Sequence, residues 1–138
     1  MKVFFDTNVY IAEALLGSTA EELVEQTHLA RWRVFVSDYV LDEVIRVLTL
    51  KLNFSRRLAW LTQKRIRDRT KLILPGASHH RVPQDSADSP ILKAAVESGV
   101  DYLVTNDAHL LSLNPYESMR IVSMQEYAQI LLEHGLRK

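Results

Sequence analysis

Four carboxylates in this chain stand where a folded domain can do chemistry: Asp6, Glu43, Asp88 and Asp107. Asp6 closes the apolar run Lys2-Val3-Phe4-Phe5 and opens Asp6-Thr7-Asn8. A strand that ends in an acid and turns at once into a helical pattern sets that acid at the carboxyl edge of a parallel sheet, where open α/β sheets bind ligands. Asp107 ends Thr105-Asn106-Asp107 in the same way, after the fourth predicted strand. Glu43 follows Val40 by three residues and precedes Val47 by four, on the border of an apolar stripe. A Glu half withdrawn from water needs a partner. Asp88 precedes Pro90 at the start of another helix. Taken singly, each acid has a plain explanation as a helix cap or a solvated side chain. Together, with no matching Lys or Arg expected beside them, they conflict. Two carboxylates about 4 Å apart repel by roughly 4 kcal/mol at an effective dielectric of about 20. Acids converging on one sheet edge raise one another's pKa or take up a cation. An oxygen-only donor set favours a hard ion, Mg²⁺ or Mn²⁺, the kind that joins protein carboxylates to phosphates and activates water.

The elements that must position these acids alternate along the chain. Lys2–Phe5, Arg33–Val36, Lys71–Leu74, Asp101–Thr105 and Arg120–Val122 read as five strands. Between them run helical patterns. One covers Val9–Leu16, with Gly17 as its stop. The next opens at Ser18 or Thr19, each with a Glu three residues on, and runs to about Arg31. Ser37 caps a third, striped by Val40, Leu41, Val44, Ile45, Val47 and Leu48. Ser55 caps a fourth, with Leu58, Leu61 and Ile66 expected inward and Trp60 expected in the core. Pro90 fits the first turn of a fifth, which Gly99 closes, and a short helix follows Asp107. Ser123 and Glu126 form a capping box for the last, which ends near Gly135. This alternation predicts an α/β fold, a three-layer α/β/α arrangement around a central parallel sheet of about five strands. Right-handed crossovers then place every strand's carboxyl end on one edge, where the four acids can meet.

The chain has 138 residues, 47% of them apolar and 25% charged, which predicts one globular domain over residues 1–138. It has no cysteine, which excludes disulfides and Cys-ligated metal centres. No apolar run approaches a membrane span and the N-terminus lacks a signal-peptide core, so a soluble, cytoplasmic protein is expected. The formal net charge of zero conceals a dipole. Residues 51–71 hold eight basic side chains and one acid, a net of +7 that the rest of the chain balances. Within it Arg56, Arg57, Lys64 and Arg65 are expected to track the phosphates of RNA. Trp60 lies among them, where stacking on a base is one reading and core packing near Leu58 and Leu61 is the expected one. The adjacent His79 and His80 chelate one ion poorly and are expected as exposed loop residues.

Asp6-Thr7-Asn8, Ser37 with Glu43, Asp88 with Pro90-Ile91-Leu92, and the run Asp101–Asp107 together resemble a PIN-domain protein. The likeness spans residue 3 to about residue 125. It is strongest to the group described as toxin components of toxin–antitoxin pairs, the VapC-like proteins. The resemblance implies a parallel α/β sheet and a Mg²⁺- or Mn²⁺-dependent endoribonuclease, leaving 5′-phosphate and 3′-hydroxyl ends. It implies Asp6, Glu43, Asp88 and Asp107 as the catalytic, metal-holding quartet. Asn8, Thr105 and Asp85 would be supporting polar residues. RNA, a cognate antitoxin and a second copy of the chain are the implied partners. A PIN-like module that binds RNA or protein without cutting is the alternative. The chain departs from the family pattern at Asn106, where a small residue is usual, and at His109, where a further acid is common. Other folds with an acid after the first strand fit worse. A dinucleotide fold needs glycines there. A haloacid-dehalogenase-type phosphatase needs an acid where Asn8 stands, and a receiver domain needs an acidic pair where Phe5 precedes Asp6.

Overall fold

The computed structural model describes residues 1–16, 19–74, 76, 80, 82 and 89–135. The sequence expectations at Gly17, Ser18, His79, Asp85 and Asp88 lie outside these residues.

The five expected strands form one sheet: β1 (Lys2–Phe5), β2 (Arg33–Ser37), β3 (Lys71–Ile73), β4 (Tyr102–Val104) and β5 (Arg120–Val122). They run in the order β3-β2-β1-β4-β5 and every neighbouring pair is parallel. Among the described residues seven α-helices connect and cover them: α1 (Thr7–Leu16), α2 (Thr19–Leu29), α3 (Asp38–Arg46), α4 (Arg56–Arg69), α5 (Ser89–Glu97), α6 (Ala108–Leu111) and α7 (Met124–Glu133). The result is the expected three-layer α/β/α fold. Central strands of such a sheet bury both faces and cannot alternate polar with apolar. Accordingly Val3, Phe4 and Phe5 of β1 and Tyr102, Leu103 and Val104 of β4 are all buried. Phe5 meets Tyr10 and Tyr127 edge-on, with ring centroids 5.9 and 5.7 Å away, joining β1 to α1 and α7.

Successive connections run from β1 to β2 to β3 in one direction across the sheet and then jump back to β4. The reversal falls between β1 and β4, where Phe5 pairs with Val104. With the crossover helices diverging to either side, the carboxyl ends of these two strands form the crevice of the fold. Asp6 and Thr105 are the next residues of each strand. Their backbones stay in register there, since Asp6 N–H donates to the Val104 carbonyl at 3.0 Å and Thr105 N–H to the Val122 carbonyl at 2.9 Å.

Local capping fixes where the helices begin. The Ser37 hydroxyl accepts from Val40 N–H at 3.3 Å and the Ser55 hydroxyl from Leu58 N–H at 3.1 Å. Ser123 and Glu126 close the full capping box that the sequence predicts. Gly99 takes φ +67° to end α5 and Gly135 takes φ +72° past α7. Two expectations need correction. The second helix stops at Leu29, because Arg31 adopts φ 60° and turns the chain left-handed before the helix can reach it. In α4 the buried residues are Ala59 and Ile66, whereas Leu58, Leu61 and Trp60 are about half exposed. Only a narrow face of α4 meets the body of the protein. It is completed by a polar anchor, the Gln63 amide donating to the Leu41 carbonyl of α3 at 3.1 Å.

Candidate functional site

Asp6 is the most deeply placed acid of the crevice, 2% exposed to solvent. Its Oδ2 accepts the Thr105 hydroxyl at 2.7 Å, a bond between residues 99 apart in sequence. The same hydroxyl oxygen accepts Asp107 N–H at 3.0 Å. Thr105 therefore uses its donor on one acid and its acceptor on the backbone of another, which holds the ends of β1 and β4 in one arrangement. Burial pushes the Asp6 carboxyl up from 3.8 to about 6. The Thr105 hydroxyl and the Thr7 N–H pull the other way, and the charges of Glu43 and Asp107 add to the upward push. These last contributions show that three expected acids share one electrostatic neighbourhood.

Glu43 is 20% and Asp107 26% exposed at the side chain, so they form the wetter rim of the site. Glu43 reaches it from α3, the helix that Ser37 starts at the carboxyl end of β2. Its Oε2 accepts Tyr39 Oη at 3.2 Å and the Arg46 guanidinium at 3.1 Å. The expectation that no basic residue stands beside the acids is thus wrong for Glu43. Arg46, three residues on, lies one helical turn away and gives it a cation. Both partners are at helical spacing from Glu43 and were legible from the sequence.

Asp107 also has the capping role that its position suggested. Its Oδ1 accepts His109 N–H at 2.8 Å and Leu110 N–H at 3.2 Å to start α6. The two departures from the expected motif have structural uses here. Asn106 Oδ1 accepts Met124 N–H at 3.0 Å, which ties the crevice to the first turn of α7. His109 Nδ1 stands 4.0 Å from Asp107 Oδ1, at the rim of the site.

Asn8 is exposed in the first turn of α1. Asp88 and the supporting Asp85 fall outside the described residues, so the expected quartet is described at three positions. Among the described residues no three His, Asp or Glu side chains are grouped closely enough to hold one metal ion. The donor chemistry nonetheless fits a hard cation. A buried carboxylate resisting ionisation, with two more acids raising its pKa, is restored to its charged form by positive charge placed beside it.

The basic segment is borne by α4. Arg56, Arg57, Lys64 and Arg65 are all exposed, and Lys64 pairs with Asp68 at 2.9 Å. Beside α4 lies a cleft of about 400 Å³ lined by Leu15, Phe54, Leu58, Arg65 and the pair Glu13–Arg69. That pair is bidentate, at 2.9 and 3.0 Å, and it clamps α1 to the end of α4. No sequence signal announced it, because its members lie 56 residues apart. His80 also differs from expectation. It is 12% exposed at the side chain and shares a 2.8 Å hydrogen bond with Tyr116 Oη. No helix among the described residues is long and apolar enough to cross a membrane.

A family model described as PIN domain matches residues 2–109. Among solved structures, the chain is similar to one chain of VapBC2 from Rickettsia felis, crystallised bound to a DNA fragment from their promoter. The TM-score is 0.69 at 14% identity, with 89% of this chain and 98% of that one covered. No curated protein matches the sequence.

Proposed function

Since the chain belongs to the PIN-domain family, whose members are generally nucleases and typically use divalent metal ions, we propose that it is a Mg²⁺- or Mn²⁺-dependent endoribonuclease. The observation that carries this reading is the buried Asp6 carboxyl at the β1/β4 reversal, held by Thr105 and pushed up to about 6. A carboxylate kept in that state is a poor structural residue and a good cation ligand.

Asp6, Glu43 and Asp107, with Asp88, would hold the metal. When bound, the cation offsets charge on the scissile phosphodiester and makes water more acidic. The chain's own residues do the rest. Thr105 fixes one oxygen of Asp6 by hydrogen bonding, so the other remains directed by the strand ends rather than by a flexible rotamer. Asp107 spends Oδ1 on the helix cap and keeps Oδ2 for the site. Arg46 holds Glu43 at the rim and places positive charge where a phosphate backbone would arrive. The exposed basic side chains Arg56, Arg57, Lys64 and Arg65 attract RNA through its phosphates. Cleavage leaves 5′-phosphate and 3′-hydroxyl ends.

The likeness to a VapBC chain supports a role as the toxin of a toxin–antitoxin pair; on this reading the protein acts in the cytoplasm. A cognate antitoxin would be its partner, and a homodimer is compatible with the half-exposed Leu58 and Leu61 of α4. The assay compares RNA cleavage by wild type, Asp6→Asn, Asp88→Asn and Asp107→Asn in Mn²⁺ and in EDTA. Cleavage confined to wild type with Mn²⁺ is expected; undiminished cleavage in the variants or in EDTA sinks the assignment. A second reading, a PIN module that binds without cutting, draws on the engagement of Glu43 by Arg46 and of Asp107 by the α6 cap. It requires that Mn²⁺ leave the melting temperature unchanged.

A further inference from the structure

Helix α4 divides into three faces. Ala59, Gln63 and Ile66 meet the body of the protein. Leu58, Thr62, Arg65 and Arg69 line the cleft beside α1. The third face holds Arg56, Trp60, Lys64 and Arg67, at spacings of four, four and three residues that stack one above another on a helix. Arg57, three residues before Trp60, borders it. Trp60 is 48% exposed. Among the described residues Arg56, Arg57 and Arg67 make no ion pair, and Lys64 makes one with Asp68.

Half of the indole stays in water, leaving part of a large flat apolar surface unburied, and it is flanked by cations along the helix. The indole is framed by positive charge on both sides along the helix, which disfavours an acid-poor apolar partner and a second copy presenting the same basic face. A ligand with a flat aromatic ring every few ångströms and a phosphate between each pair satisfies both parts of the face at once. We infer that this face is a docking surface for single-stranded RNA, on which Trp60 stacks one base while Arg56, Lys64 and Arg67 hold the flanking phosphates. This rests on the nuclease reading for its choice of RNA. It goes beyond it in naming a base-stacking residue on α4, which a duplex, having no free base to offer, cannot engage. The Gln63 anchor to Leu41 fixes α4 to the helix that carries Glu43, so a strand held on this face is held in a constant relation to the site.

Fluorescence anisotropy of a labelled single-stranded RNA of about 12 nucleotides, in EDTA so that no cleavage intrudes, tests the platform. Trp60→Ala should weaken binding about tenfold, and Trp60→Phe should stay within about threefold of wild type. Arg56→Ala and Arg67→Ala should each lower the slope of log affinity against log salt by about 0.7. A blunt RNA duplex should bind the wild type and Trp60→Ala alike. Unchanged single-strand affinity in Trp60→Ala overturns the inference, as does an equal loss for the duplex. It is also overturned if Trp60→Ala dissociates a dimer in sedimentation without weakening RNA. Thermal unfolding of each variant identifies any loss that reflects misfolding, in which case Trp60→Phe decides. The nuclease reading is scored separately. Cleavage in Mn²⁺ with unchanged Trp60→Ala binding removes the platform and leaves the nuclease. A tenfold loss without any cleavage leaves the platform and removes the nuclease.

Discussion

Replacing Asp6 with Asn should make the protein more stable while abolishing its activity. The wild-type carboxyl is 2% exposed and its pKa rises from 3.8 to about 6. A rise from 3.8 to about 6 corresponds to about 3 kcal/mol of destabilisation once the group is forced to ionise in the folded state. The folded protein holds the Asp6 proton more tightly than the unfolded chain. Its stability is therefore undiminished below about pH 4, falls as pH rises from about 4 to 6, and levels off above. An Asn side chain carries no charge to desolvate and still offers an oxygen to the Thr105 hydroxyl. Its new amide must find acceptors, and Glu43 and Asp107 lie in its field, so part of the gain is retained. We expect Asp6→Asn to be about 1–3 kcal/mol more stable than wild type at pH 7 in EDTA, a rise of about 3–10 °C in melting temperature. The advantage should vanish near pH 4. Urea denaturation across that range, beside a cleavage assay in Mn²⁺, measures both sides. Equal or lower stability of Asp6→Asn at pH 7, or a difference independent of pH, would refute the claim that burial of an ionised Asp6 strains the site.

Thr105→Val keeps the shape but leaves Asp6 Oδ2 and Asp107 N–H without their shared partner. A loss of about 1–3 kcal/mol in urea unfolding is expected, together with a lower affinity for Mn²⁺ by calorimetry. Arg69→Ala strands the buried Glu13 carboxylate and should cost about 3–5 kcal/mol, whereas Arg67→Ala, two residues away and exposed, should stay within about 0.5 kcal/mol. Arg46→Ala removes the cation that engages Glu43. It should change stability by no more than about 1 kcal/mol and tighten Mn²⁺ binding several-fold in calorimetric titration, because the metal no longer competes with a guanidinium.

The order of elements was legible because each signal was local. Ser37, Ser55 and the Ser123–Glu126 box are short-range motifs, and the structure uses each as a cap. Alternating apolar runs and helical patterns placed all five strands, and parallel strands put Asp6 and Thr105 at one sheet edge; the order β3-β2-β1-β4-β5, which makes them neighbours, rests on long-range pairing that no local signal carries. The faces of α4 were misread for a physical reason. Leu58 and Leu61 are the larger apolar residues, yet Ala59 is the one small enough for the close contact, and Gln63 turns inward by hydrogen bonding rather than by hydrophobicity. Hydropathy alone does not register either effect. The Glu43–Arg46 pair was within reach of helical spacing. The Glu13–Arg69 clamp, joining α1 to α4, was not, since no local pattern specifies which acid meets which guanidinium.

The bond from Thr105 to Asp6 spans 99 residues. Closing a loop of that length costs on the order of 4 kcal/mol in chain entropy. A chain still emerging from the ribosome can pair β1 with β2 and β2 with β3, but β4 has yet to appear, and Asp6 lacks both the Thr105 hydroxyl and the Asp107 carboxylate. Synthesis at about 5–20 residues per second then leaves several seconds in which the early strands exist and the crevice does not. A nuclease of the proposed kind, built on this crevice, cannot act on the messenger being read until most of its own chain has been made.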